Sequence, residues 1–140
     1  SSYVLLGLLK KYPECEVQLI PGVTAFSATA ASAQFPLALQ REQLLIAPAP
    51  DSSQKLETLL QSSLLVNRSL VLLKIGHRWS WIKPLLGKLD LLSSSIFVQK
   101  VGLPDQLIVE ASNLNENPKP YFSLLLVRKN DPENFLEFTD

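Results

Sequence analysis

Some segments of the chain contain the short apolar runs typical of strands, and others repeat apolar residues with the spacing of a helix. This pattern predicts an α/β domain. Short apolar runs closed by proline, glycine or polar residues predict five strands, near 16–20, 43–50, 68–76, 94–102 and 120–129. Helical spacing of leucines and small residues predicts four helices, over 1–13, 24–34, 52–63 and 77–90. Residues 103–114 predict a loop or a short helical excursion. Strands alternating with helices indicate a three-layer α/β/α fold with a mostly parallel, mixed five-stranded sheet.

Prolines and serines define the expected ends of these elements. Pro13 and Pro36 end the first two helices, because proline cannot continue a helix and disfavours helix in the residue before it. Ser52 or Ser53 is the expected cap of the third helix and Ser80 that of the fourth. The short connection before the last strand predicts that one of the last two strands runs antiparallel.

The second helix has an unusual composition. It follows a Pro-Gly corner at residues 21–22 and consists almost entirely of alanine, serine and threonine. Small side chains let a helix lie close to a sheet, and Thr24 and Ala25 at its start leave room for a ligand near the backbone.

Length and charge limit the classes of function. The chain has 140 residues, enough for one domain with its own core, and 13 basic residues balance 13 acidic ones. We therefore expect no nucleic-acid partner and no membrane partner. The single cysteine, Cys15, cannot form an internal disulfide, which suits a cytoplasmic protein. Because the sequence begins abruptly and without methionine, we expect it to be a piece of a longer protein.

Few residues suggest acid–base or nucleophilic chemistry. His77 is the only histidine, and no Gly-x-Ser-x-Gly motif accompanies it, so a helix-entry or surface position is favoured over a catalytic triad. Cys15 is interpreted as a free structural thiol, and no cluster of cysteine and histidine could bind a metal. Trp79 and Trp81 are expected in the core rather than as a base-stacking platform.

The loops at the predicted strand ends are the remaining candidates for a binding site. In open α/β sheets, ligands bind outside the carboxyl ends of the strands. The four candidate loops are 21–25, 47–50, 74–77 and 100–104. Three contain glycine, which tight strand-to-helix turns also require, so this pattern alone favours a small-molecule site only weakly.

Four motifs give the chain a resemblance to a known family. The segments IPGVTAFSATAASAQFPLA, SLVLLKIG and VQKVGLPDQLIV, followed by PYFSLLLV, resemble the tetrapyrrole methylases over roughly residues 1–128. Members of that family transfer methyl groups from S-adenosylmethionine (SAM) to porphyrin-derived rings. The resemblance implies a carboxyl-terminal domain over 1–140, with helix 1–13 following a missing Gly-Asp-Pro loop and with 130–140 as a polar tail.

The resemblance also implies a cofactor site, a substrate and partners. SAM is expected between this domain and a missing amino-terminal domain, and within the family the substrate is expected to be a tetrapyrrole of cobalamin synthesis, precorrin-2. The intact protein is expected to be a homodimer. The residues matched to cofactor binding are Thr24, Ala25, Ile75, Val101, Gly102 and Ser123. For Thr24 a helix cap, and for Ile75 and Val101 core packing, are the alternatives.

Methyl transfer is compatible with the scarcity of acid and base groups. An electron-rich carbon displaces a good leaving group, so catalysis can rest on holding the reactants in line and excluding water. The alternatives are a methylase of the same fold with another substrate and a non-enzymatic α/β interaction domain. We expect these 140 residues alone to bind SAM poorly, to have no turnover and to self-associate.

Overall fold

The computed structural model describes residues 2–115 and 122–129. The helices are α1 (Ser2–Lys11), α2 (Ala25–Ala33), α3 (Ser53–Leu65) and α4 (Trp79–Lys88). The strands are β1 (Gln43–Pro48), β2 (Arg68–Leu73), β3 (Ser95–Gln99), β4 (Leu107–Glu110) and β5 (Ser123–Val127). Short 3₁₀ helices cover Gly76–Arg78 and Ala111–Asn113. The predicted tail at 130–140 lies outside the described residues.

The five strands form one mixed sheet in the order β1-β2-β5-β3-β4. The α/β class, a sheet of five strands and its mixed character are confirmed, and so is the expectation that one of the last two predicted strands runs antiparallel. The expected parallel majority is corrected, because β1 and β2 form the one parallel pair among the described strands and the other three pairs are antiparallel. Strands β2 and β3 point the same way, but β5 lies between them and pairs antiparallel with both, while β4 pairs antiparallel with β3.

One of the predicted strands is wrong. Residues 16–20 alternate like a strand but form no strand, and Leu19 and Ile20 are 79% and 81% exposed. The fifth strand is instead β4, within the segment that predicted a loop or a helical turn. A strand needs the hydrogen-bonding edge of a neighbour, and β3 offers that edge to β4.

Both faces of the sheet are covered, as a three-layer fold requires. Leu70, Leu72, Phe97 and Leu125 point toward α3 and α4 and form the larger core cluster with their leucines. The alternate positions of the same strands pack beneath α2, around Phe35. Successive side chains of a strand point to opposite faces, so the central strands β2 and β5 are apolar at nearly every position. Within the two described ranges, no helix is long and apolar enough to cross a bilayer.

The helix caps agree with the sequence in two cases and differ in one. Thr24 caps α2 and Ser52 caps α3, each accepting a hydrogen bond from a backbone N–H three residues later. Ser80 does not cap α4, because a 3₁₀ turn precedes the helix and places Ser80 inside it, where its hydroxyl donates to the carbonyl of His77. The sequence does not reveal that additional turn.

A buried ion pair fixes the end of β5 to the loop before β1. The Arg128 Nη2 atom lies 2.8 and 2.9 Å from the two carboxylate oxygens of Glu42, and the two side chains are 1% and 6% exposed. The Glu42 carboxylate also accepts the N–H of Leu39, and the Arg128 guanidinium lies over the Phe35 ring. Residues 86 positions apart are thereby joined across the second face of the sheet.

Candidate functional site

A cavity of about 1020 Å³ opens at one end of the sheet. It lies where β2 and β3 end and β5 begins, since Leu73 pairs with Leu124 and Gln99 pairs with Ser123. The start of α2 closes one side through Ala25. The lining residues are Ala25, Leu73, Lys74, Ile75, Gly76, His77, Arg78, Val98, Lys100, Val101, Leu103, Phe122, Ser123 and Leu124.

The cavity brings together most of the predicted site residues. Ala25, Ile75, Val101 and Ser123 line it, whereas Thr24 and Gly102 are chain neighbours of lining residues without lining it themselves. Three of the four predicted loops contribute to the wall: 74–77, 100–104 and, through Ala25, 21–25. Loop 47–50 does not, because β1 is the outer strand and lies away from the strand ends that enclose the cavity. A cofactor-binding role for these residues stays a prediction.

Two predicted site residues also have structural roles. The Thr24 hydroxyl accepts the N–H of Ser27 at 3.4 Å and donates to the Ser27 hydroxyl at 2.9 Å, which is the expected helix cap. Ile75 is fully buried within the larger core cluster while it also borders the cavity. Both residues therefore stabilise the wall of the cavity.

The wall is built from unusual backbone conformations. Positive φ angles occur at Lys74, Gly76, Lys100, Gly102 and Phe122, with values of 60, 44, 54, 80 and 55°. A non-glycine residue in this region costs about 1 kcal/mol or more, and such residues concentrate at functional sites. Hydrogen bonds maintain these turns, because Lys74 N donates to the Ser123 carbonyl at 3.1 Å and Lys100 N donates to that of Phe122 at 2.9 Å.

Ser123 holds the first of these turns in place. Its hydroxyl oxygen is buried and accepts the N–H of Gly76 at 2.9 Å, while its carbonyl accepts the N–H of Lys74. Left-handed backbone at Lys74 and Gly76 flanks right-handed Ile75, and such alternation turns successive N–H groups toward one side. In this protein the N–H groups of Lys74 and Gly76 donate hydrogen bonds to the carbonyl and hydroxyl oxygens of Ser123, respectively.

The described part of the cavity wall contains basic side chains and no acidic ones. Lys74, His77, Arg78 and Lys100 border the apolar interior. The ammonium of Lys100 is paired with the carboxylate of Asp105. Arg78 Nη1 donates to the Lys74 carbonyl at 3.1 Å, which places the guanidinium against the turn. The cavity therefore suits a ligand with an apolar body and negative charge at its edge.

Among residues 2–115 and 122–129, the site holds no constellation for acid–base or nucleophilic catalysis. No carboxylate or thiol of these residues belongs to the lining, and no hydrogen bond between them joins the exposed His77 imidazole to a serine or a carboxylate. Trp79 lies in the core, with its ring centroid 5.1 Å from that of Phe97, so the core-packing interpretation is confirmed for this residue. The arrangement can bind and orient reactants.

Sequence reasoning missed Phe122 and Arg78 as parts of the wall. Phe122 precedes a strand, and the expectation of a mostly parallel sheet placed strand beginnings at the opposite end. Because β5 runs antiparallel, its first residues lie beside the carboxyl ends of β2 and β3. Arg78 follows directly on the predicted loop 74–77, so extending that loop by one residue would have identified it as part of the wall.

The fold and the cavity define a mixed α/β domain with a ligand-sized site at the strand ends, lined among the described residues by apolar and basic side chains. The sequence pattern of the Tetrapyrrole (Corrin/Porphyrin) Methylases matches residues 1–116. The chain belongs to this family.

Two curated relatives illustrate the match. The cobalt-precorrin-2 C(20)-methyltransferase of Salmonella typhimurium is 35% identical over 115 residues, which cover 81% of this chain and 47% of the relative. The cobalamin biosynthesis protein CobIJ of Mycobacterium tuberculosis is 26% identical over 109 residues, or 78% of this chain and 21% of the relative. The chain thus spans about half the length of the first relative and about a fifth of the second.

Solved structures show the same fold. The methyltransferase CobJ superposes with a TM-score of 0.62 at 22% identity, covering 91% of this chain and 58% of that protein. The cobalt precorrin-4 methyltransferase CbiF gives 0.61 at 18% identity, with the same coverage. A uroporphyrin-III C-methyl transferase from Thermus thermophilus, complexed with S-adenyl homocysteine, gives 0.52 at 22% identity and also covers 91% and 58%.

Proposed function

We propose that this chain is the carboxyl-terminal half of a SAM-dependent methyltransferase that methylates carbon 20 of precorrin-2, or of its cobalt complex, in cobalamin synthesis. The observation that carries the proposal is the cavity, which gathers four of the predicted cofactor residues in a chain 35% identical to a C(20)-methyltransferase. CobJ, CbiF and CobIJ are likewise named for cobalamin synthesis or for methyl transfer.

The residues present fit SAM as the cofactor. A cavity of about 1020 Å³ is at the upper end of the range for small-molecule sites and leaves space for a second reactant. Apolar walls from Ile75 and Val101 suit the adenine ring, and the turn around Gly76 brings backbone close to the ligand. When bound, SAM supplies an electrophilic methyl group.

The protein's contribution to the reaction is positioning. The fixed turns at 74–76 and 100–102 would hold the cofactor, and the apolar wall would exclude water from the reacting atoms. Alignment of two bound reactants can by itself lower a barrier by roughly 7 kcal/mol or more. A reaction with a good leaving group therefore needs no nucleophile from the lining.

The exposed apolar surface favours the proposal that a second half of the protein packs against this chain. Tyr3, Val4, Leu19, Ile20 and Val23 are each more than 60% exposed, a large amount for adjoining segments of one domain. We propose that an amino-terminal half covers these side chains and completes the cofactor shell. The intact enzyme would then act as a homodimer in the cytoplasm.

Mass spectrometry tests the proposed reaction. The two-domain protein that includes this chain is incubated with SAM and either precorrin-2 or cobalt-precorrin-2. We expect the tetrapyrrole to gain the mass of one methyl group, located at carbon 20 by NMR with ¹³C-labelled SAM. A methyl group at another ring position would instead support a related methylase of the same fold. An unmodified tetrapyrrole in both reactions would contradict the proposal.

A further inference from the structure

We propose that Lys74, His77 and Arg78, which we term the basic rim, bind carboxylate groups at the periphery of the tetrapyrrole substrate. This inference rests on the proposed function and assigns a substrate-binding surface within the same site. The three residues lie on one turn at the mouth of the cavity, where the apolar wall meets solvent.

The charge distribution leaves the rim available to an anionic ligand. Lys100, the fourth basic residue of the lining, is paired with Asp105 and is not counted in the rim. Among the described residues, the side chains of Lys74 and His77 form no ion pair. The positive charge at the rim is therefore not cancelled by a carboxylate of the cavity wall.

One carboxylate lies near Arg78 but already has a partner. Asp51 interacts with Lys55 at 2.9 Å, and this hydrogen-bonded ammonium, with a smaller contribution from Arg78, keeps the pKa of the Asp51 carboxyl below its ordinary value. Asp51 is not part of the cavity lining. The Asp51 carboxylate already pairs with Lys55, four residues later, so the Arg78 guanidinium keeps N–H donors for a ligand.

The backbone fixes the rim in position. Lys74 N and Gly76 N are bound by the two oxygens of Ser123, and Arg78 N donates to the Ile75 carbonyl at 2.9 Å. The Arg78 guanidinium in addition donates to the Lys74 carbonyl. Basic groups on a rigid turn lose less entropy on binding than groups on a mobile loop, which favours specific recognition.

Carboxylate is the anion that the proposed reaction brings to the site. It has two sources, the acidic side chains around a porphyrin-derived ring and the amino-acid end of SAM. We assign the rim to the ring, because three basic side chains within five residues match several carboxylates spaced along a ring edge better than one carboxylate. The apolar wall next to the rim accommodates the ring itself.

Binding measurements on the two-domain protein test the rim. Uroporphyrin III, a tetrapyrrole with carboxylates on all its pyrroles, is the probe, and quenching of its fluorescence gives Kd. Calorimetry gives Kd for SAM. The variants are Lys74→Gln, Arg78→Gln and the double variant, and Lys88→Gln, which removes an exposed lysine at the end of α4, is the matched control.

We expect the double variant to weaken uroporphyrin binding by about tenfold or more, as the loss of charge-assisted hydrogen bonds implies. SAM affinity and the Lys88→Gln variant should stay within about twofold of wild type. Raising the salt concentration should weaken wild-type binding more steeply than binding by the double variant. The Arg78→Lys variant keeps the positive charge. It should therefore retain most of the wild-type affinity for uroporphyrin III, unlike Arg78→Gln.

Three results would overturn the inference: no uroporphyrin binding by the wild type, an equal loss in the control variant, or a loss confined to SAM. The last would assign the rim to the cofactor. The uroporphyrin III measurement reports binding and does not depend on methylation. Failure of methyl transfer is therefore a separate result, which bears on the proposed function. Lys74 is exposed, so Lys74→Gln tests the rim even where Arg78→Gln impairs folding.

Discussion

Ser123 shows most clearly how a single residue shapes the site. The sequence motif singled it out as a ligand contact, and the structure reveals a further role, because its hydroxyl accepts the N–H of Gly76, 47 residues away. The bond ties the first residue of β5 to the turn after β2. Ser123 is thus a positioning residue for the cavity, whatever contact its remaining O–H makes with a ligand.

Replacing Ser123 with alanine should loosen that turn. The buried Gly76 N–H would lose its acceptor, which costs about 1–3 kcal/mol of stability. Urea unfolding should show this loss, and hydrogen exchange at the Gly76 amide should accelerate. Ser62→Ala, which removes an exposed hydroxyl on α3, is the control and should change neither quantity. Unaltered exchange at Gly76 in Ser123→Ala would show that the hydroxyl does not hold the turn.

The Glu42 and Arg128 pair provides a second test at single residues. Glu42→Gln removes the negative charge that pairs with the buried guanidinium of Arg128, which should cost roughly 3 kcal/mol or more. Glu57→Gln, which breaks a more exposed pair with Lys88, should cost at most about 1 kcal/mol. Equal unfolding midpoints in urea for the two variants would refute a special role for the buried pair.

At the scale of helices and strands, the sequence predicted the elements whose own residues show a periodic pattern or a bounding proline. The four helices and strands β1, β2, β3 and β5 follow from local periodicity and prolines. Two assignments depended on distant partners and failed. Residues 16–20 have a strand pattern without a neighbouring edge, and β4 is a four-residue strand that exists because β3 pairs with it. The cavity loops followed from strand ends, but Phe122 required knowledge of the antiparallel direction of β5.

The 16–20 segment should contribute little to the stability of this chain. Leu19 and Ile20 are mostly exposed, so replacing both with serine should leave the unfolding free energy within about 0.5 kcal/mol. The same change should reduce the self-association of the 140 residues in sedimentation velocity. Leu125→Ala, at a fully buried position in β5, should instead cost about 2–5 kcal/mol. Comparable destabilisation by the two changes would mean that residues 16–20 pack within this chain.

At the scale of the whole molecule, the chain provides one half of a proposed binding site. It belongs to the tetrapyrrole methylases but spans only 47% of the C(20)-methyltransferase that it resembles. The cavity lies open at the strand ends, and apolar side chains of α1 and of 17–23 face solvent. Family membership was predictable because its motifs are local stretches of sequence. The expected substrate, precorrin-2, came from the same resemblance and stays a prediction, since no single stretch of this chain defines a substrate.

Calorimetric titration of SAM tests the central claim most directly. The titration is performed on the 140 residues alone and on the proposed two-domain protein that would include them, under identical conditions. We predict binding with a 1:1 stoichiometry per chain to the two-domain protein and no measurable heat at micromolar concentrations for the 140 residues alone. Micromolar SAM binding by the 140 residues, or no binding by the two-domain protein, would contradict a cofactor site shared between two halves.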